Sequence, residues 1–246
     1  MKMKRKVITA LLAATMVASL AVGCGNKGGD SKSDSSKSSS SDEITIGFSQ
    51  VGAESDWRTA NSESMKSTFS EKNGYKLIFD DAQQKQENQI TAIRNFIQQD
   101  VDYIVLAPVT ETGWDTVLKE AKDADIPVII VDRMIDVSDD SLYTAWVGSN
   151  FKMEGQKACE WLNAYAEAKG MKEVNIAHIQ GTIGASAQIG RTEGLEEAAK
   201  EYGWNIVAQQ TGEFTQAKGQ EVMESFLKSY DDIDLSLIHI SEPTRP

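Results

Sequence analysis

From Glu43 to Asp234 the chain alternates between two hydrophobic periods. Short runs rich in β-branched and aromatic residues read as strands: ITIGFS (44–49), YKLIFD (75–80), DYIVLA (102–107), PVIIVD (127–132), YTAWVG (143–148), VNIAHIQ (174–180) and WNIVAQQ (204–210). Several are almost continuously apolar, as in a parallel sheet covered on both faces. Between them, apolar residues recur at helical spacing. Ile90, Ile93, Phe96 and Ile97 make one stripe, Val117, Leu118 and Ala121 a second, and Val222, Phe226 and Leu227 a third. This alternation predicts βαβ units with right-handed crossovers and the α/β class.

The alternation breaks phase once. Residues 44–132 hold four β–α steps, but after PVIIVD the expected helix gives way to a short polar connection, MIDVSDDSL. A further strand and a long helix over 150–169 follow, and then a second β–α series. Two consecutive sheets explain this economically: lobe 1 over 43–149 and lobe 2 over 150–234.

Both ends depart from the pattern. Lys2, Lys4, Arg5 and Lys6 precede an uncharged apolar run from Val7 to Val22. Such a run is short for a membrane-spanning helix and suits a signal peptide over residues 1–23. It closes with Leu20-Ala21-Val22-Gly23-Cys24, which resembles a bacterial lipobox, so Cys24 is the expected lipidation site. Ala21 stands where the usual leucine would be. Residues 25–42 carry no apolar residue, so 24–42 reads as the lipidated cysteine and a flexible Ser-rich tether. At the other end LSLIHISEPTRP (235–246) is similar to the translation of a transposase adapter used in preparing sequencing libraries. On that reading 235–246 is a foreign tail outside the fold, the chain is C-terminally truncated, and His239 has no role.

Composition narrows the function. The chain has 25 Lys+Arg against 37 Asp+Glu, a net charge of −12. Removing residues 1–23 takes four cations and no acids, leaving −16. That balance argues against nucleic acid as a partner, since phosphate binding needs a basic face. The two cysteines, Cys24 and Cys159, make no disulfide framework, and two histidines leave little for a metal site. Cys159 reads as a small buried apolar residue and His178, within a strand, as half-buried structure.

In open α/β sheets ligands bind beyond the carboxyl ends of the strands. There this chain places Gln50, Glu54, Trp57 and Arg58 after the first strand, Asp132 and Arg133 after the fourth, Gly181 to Ser186 leading to Arg191, and Glu213-Phe214. Carboxylates and guanidinium groups give directional hydrogen bonds to hydroxyls, and Trp57 or Phe214 offers a plane for the C–H face of a sugar ring. Taken singly, each has a plain structural reading: Asp132–Arg133 as a local ion pair, Trp57 as a packing anchor, Arg191 as a solvated helix residue. Their convergence carries the case for a neutral polyol. Gly181 to Ser186 could cradle an anion at a helix N-terminus but lacks the Gly-Lys-Ser/Thr of a P-loop. Residues 80–89 suggest a carboxylate cluster and read better as a strand-end loop entering a helix. No nucleophile–base pair is evident, so the chain is not expected to be an enzyme.

The segments GFSQVGAESDWR (47–58), DAQQKQENQI (81–90), APVTETGW (107–114), VLKEAKDADIPVIIVDRMIDV (117–137), QGTIGASAQIGR (180–191) and GEFTQAKGQEVMESF (212–226) resemble the periplasmic sugar-binding receptors of ABC transporters. Within that ribose/galactose-type group they are most like the galactofuranose-binding proteins. The resemblance implies a two-lobed periplasmic-binding-protein type I fold, each lobe a parallel sheet flanked by helices, the second incomplete here. It implies that Trp57, Arg58, Asp132 and Arg133 contact the sugar from lobe 1, joined by Glu54 and Gln50, and that Arg191 and Phe214 hold it from lobe 2. Asn150 falls where the family's chain first crosses between lobes, a hinge. The implied partners are a monosaccharide, an ABC transporter permease and the membrane through the lipid anchor, with the receptor a monomer without cofactor or metal. A sensory receptor presenting ligand to a membrane signalling partner is the alternative. The family's further lobe 2 ligands, an Asn-Asp pair after a strand near Ile233, and its return crossovers are missing, so this polypeptide is expected to fold poorly or bind weakly.

Overall fold

The computed structural model describes residues 43–239; the expected signal peptide, lipidation site at Cys24 and tether, and residues 240–246, lie outside the described residues. In chain order the elements are β1 (Ile44–Gln50), α1 (Asp56–Thr68), β2 (Tyr75–Asp81), α2 (Gln86–Gln98), β3 (Tyr103–Leu106), α3 (Asp115–Asp123), β4 (Val128–Asp132), β5 (Ala145–Gly148), α4 (Phe151–Lys169), β6 (Asn175–Gln180), α5 (Ser186–Tyr202), β7 (Asn205–Thr211), α6 (Gln216–Ser229) and β8 (Leu235–Ile238). The phase break is real. Between β4 and β5 lies only a 3₁₀ turn, Asp140–Leu142, and the strands form two all-parallel sheets ordered β2-β1-β3-β4-β5 and β7-β6-β8.

The continuous apolar runs do what two-sided burial requires. In β3, Ile104 and Leu106 pack with Ile93, Phe96, Trp114 and Leu118 of the α2–α3 side, while Val105 between them joins Ile46 and Phe48 on the α1 side. Gly47 lets α2 come close, since a Cβ there would stand 2.4 Å from the Phe96 ring. In the second sheet, Ile176 meets Cys159, Leu162 and Leu195 of α4 and α5, while Ala177 and Ile179 meet Val222 and Phe226 of α6. Side chains cap the helix starts: Ser55 Oγ accepts from the Arg58 N–H, Asn150 Oδ1 from Met153 and Thr215 Oγ1 from Lys218.

Three expectations need correction. The fold does not stop at Asp234: Leu235–Ile238 pairs in parallel with β6 and Leu235 and Leu237 pack on the second core. An apolar tetrapeptide reaching an open sheet edge gains backbone partners whatever its origin. Leu227 is not part of the α6 stripe but 61% exposed, because the buried face runs through Gly219, Val222 and Phe226. His178 is wholly buried, with its Nε2 3.0 Å from His239 Nε2 and its Nδ1 3.2 Å from Gln209 Oε1. Burial pushes the His178 pKa down, and the His239 pKa is pushed to about 3 by burial first and by His178 second.

Candidate functional site

The carboxyl ends of both sheets face one cleft of about 290 Å³, at the small end for a ligand pocket. From the first sheet's side it is lined by Glu54, Trp57, Arg58, Asp132 and Arg133, and from the second's by Phe151, Glu154, Arg191 and Phe214. Ser55, Ser149 and Ala187 complete the lining.

Arg58 is the centre of the first half. It is 3% exposed and spends its donors on three partners: Nη2 to Asp132 Oδ2 at 2.9 Å, Nη1 to Gln50 Oε1 at 3.1 Å and Nε to Glu54 Oε1 at 3.3 Å. Arg133, equally buried, donates from Nη1 to the Val109 carbonyl at 3.1 Å and lies 3.9 Å from Glu54. Burial foremost, then the nearby Arg58 charge, lower the Arg133 pKa to about 10, so it remains a cation at neutral pH. Glu54 Oε2 is buried without a hydrogen-bond partner, an acceptor of the kind a buried site leaves open for a donor. In the second half, Arg191 gives Nε and Nη2 to Glu154 Oε2 at 3.0 and 2.8 Å.

Two features show how the backbone serves this cleft. Each arginine lies over an aromatic ring: Arg58 over Trp57 at 4.7 Å, Arg133 over Phe214 at 4.7 Å and Arg191 over Phe151 at 5.1 Å. These contacts orient the planar guanidinium groups. Asp132, Glu213 and Phe214 all have positive φ, 63°, 57° and 57°, a conformation that costs non-glycine residues energy and collects at ligand sites. Phe214 in turn rests on Gly181, where a Cβ would fall 2.0 Å from the ring. Three lining cations face three lining carboxylates, so the cleft suits an uncharged ligand with many hydroxyls.

Of the eight predicted ligand contacts, seven line the cleft and Gln50 does not. Gln50 is fully buried behind Arg58, held by Asn61 and Ser62. Asn150 sits as the cap of α4, directly after β5. Trp57 is 51% exposed, a half-open platform and not a packing anchor. Sequence reasoning missed Phe151 and Glu154. Both lie in the first turn of the helix that Asn150 opens, where an acid reads as a complement to the helix dipole; its pairing with Arg191, 37 residues on, left no local signal.

A family model described as a periplasmic binding protein domain matches residues 46–242. The chain is 51% identical over 187 residues to a galactofuranose-binding protein of Escherichia coli (strain K12), covering 76% of this chain and 58% of that one. A solved Mycobacterium smegmatis protein in complex with β-D-fucofuranose superposes with a TM-score of 0.74 at 49% identity, over 78% of this chain and 63% of that one. The binding protein of an arabinose ABC transporter from Shewanella sp. ANA-3, bound to α- and β-L-arabinofuranose, gives 0.71 at 53%, over 76% and 61%. The chain thus spans less than two thirds of these relatives' length.

Proposed function

The chain belongs to the periplasmic binding protein family, and from that premise we propose that the intact protein captures a monosaccharide in its furanose form between the two sheets, a ligand that this chain, spanning less than two thirds of its relatives' length, binds more weakly. The observation that carries this is the charge-balanced cleft, with three arginine–aromatic pairs and an unpartnered Glu54 Oε2. Ring hydroxyls would meet Arg58, Asp132, Glu54 and Arg191, and the C–H face would lie against Trp57 or Phe214. Contacts from both sides favour the closed arrangement over an open one, with the chain at Asn150 as the hinge. The relatives named above, a galactofuranose-binding protein and two proteins solved with fucofuranose and with arabinofuranose bound, support the furanose reading. Delivery to an ABC permease from an extracytoplasmic position, tethered through a lipid on Cys24, completes the proposal.

Calorimetric titration with D-galactose and L-arabinose, followed by ¹³C NMR of the bound, C1-labelled sugar, tests it. Both sugars hold furanose and pyranose forms at equilibrium. Enrichment of the furanose form on the protein is expected. A bound pyranose would overturn the ring-form reading, and absence of binding to any pentose or hexose would overturn the sugar reading.

A further inference from the structure

We propose that Ser186 and Gly184 form a latch that holds the two rims of the cleft together independently of any sugar, so that Ser186 sets affinity without touching the ligand. This deepens, and for its affinity consequence rests on, the reading of the cleft as a sugar site. Two hydrogen bonds cross between the sheets' loops. The Met134 N–H donates to Ser186 Oγ at 2.9 Å, and the Glu111 N–H donates to the Gly184 carbonyl at 2.8 Å. None of these four residues lines the cleft.

Both sides of the latch are braced. On the first side the Asp136 N–H donates to the Glu111 carbonyl at 2.8 Å, tying the loop after β3 to the loop after β4. On the second, Gln188 Oε1 accepts from the Gly184 N–H at 3.1 Å and the Thr182 carbonyl from the Ala185 N–H at 3.2 Å. Gly184 has φ +83°, and the Thr110 methyl lies 3.6 Å from where its Cβ would be. Met134 directly follows Arg133, so the latch fixes the position of a cleft residue. Opposing it, the Glu111 carboxyl faces Asp136 on its own side and Glu193 on α5, and its pKa is raised by burial and by those two charges. Attraction and repulsion at one seam make a latch that can reopen. Each neutral hydrogen bond shifts such an equilibrium by about two- to ten-fold, and apparent affinity follows the closed fraction.

The test compares the parent chain with Ser186→Ala and Ser186→Thr. Without sugar, the Met134 and Glu111 amides of the parent should be protected from hydrogen exchange. Ser186→Ala should speed Met134 exchange by about two- to ten-fold, enlarge the radius of gyration in X-ray scattering, and weaken L-arabinose binding by a similar factor through faster dissociation. Ser186→Thr, which keeps the hydroxyl, should restore all three. Unprotected amides in the sugar-free parent, or exchange and scattering unchanged in Ser186→Ala, would overturn the latch. If the parent binds neither L-arabinose nor D-galactose, exchange and scattering still decide the latch while the sugar reading fails. Should Ser186→Ala not fold, amide exchange in the parent alone decides.

Discussion

On the side of the five-stranded sheet the charges of the cleft are buried and interlocked, whereas on the side of the three-stranded sheet they stand partly in solvent. Arg58 and Arg133 are almost inaccessible and share Glu54 between them. The Arg191 and Glu154 side chains keep 27% and 39% of their exposure and pair with each other, with Arg191 also lying over Phe151. Their supports differ likewise: the first half stands on cores on both faces of five strands, the second on three strands whose last is a short edge segment. A buried network is rigid and costly to break, while a half-solvated pair reorients cheaply. The difference assigns geometry to the first half and adjustment to the second.

Substitution at Arg58 should expose the contrast most. Arg58→Ala leaves Asp132 without its cation and Glu54 with only the more distant Arg133, a loss of about 3–5 kcal/mol, measurable as a fall in the denaturant midpoint together with loss of sugar binding. A variant of near-parental stability would mean that the first half is far wetter than its burial implies.

Acid between pH 6.5 and 4.5 should act next, and chiefly on the second half. The His178 and His239 pKa values lie below the ordinary histidine value, the latter at about 3. Stability from keeping them neutral is therefore present above about pH 6.5 and is lost as pH falls towards 3, by at most ~1.4 kcal/mol per pH unit for each proton taken up. Between pH 6.5 and 4.5 the second sheet should loosen before the first. Amide exchange of β6 against β3 across that window reads this, and simultaneous loosening would erase the distinction.

Gly181→Ala should displace the Phe214 ring at a cost of about 1–3 kcal/mol, weakening sugar binding roughly ten-fold while exchange protection in the five-stranded sheet stays as it was. Binding unchanged in that variant would remove Phe214 from the site. The smallest effect is expected of Glu154→Gln, where a part-exposed pair contributes less than about 1 kcal/mol to stability. Its thermal midpoint should barely move, and a drop as large as that of Arg58→Ala would show the two halves to be alike.

Seven of the eight strands, the helices, the break between the two sheets and most of the cleft lining were legible in the amino-acid order. Period-2 and period-3.6 patterns arise from neighbouring residues, and Asp132, Arg133 and Phe214 stand beyond strand ends that those patterns mark. Three-dimensional packing alone assigned Gln50 to the support of Arg58, joined Glu154 to Arg191, turned Leu227 outward, buried His178 against His239 and drew Leu235–Ile238 into the second sheet. Each of these depends on residues far apart in the chain or on the exact angle at which a helix leaves its strand. No local period encodes such a quantity, so the sequence by itself determined which residues stand at the cleft, and the tertiary structure decided which of them are buried in a network and which are left half in solvent.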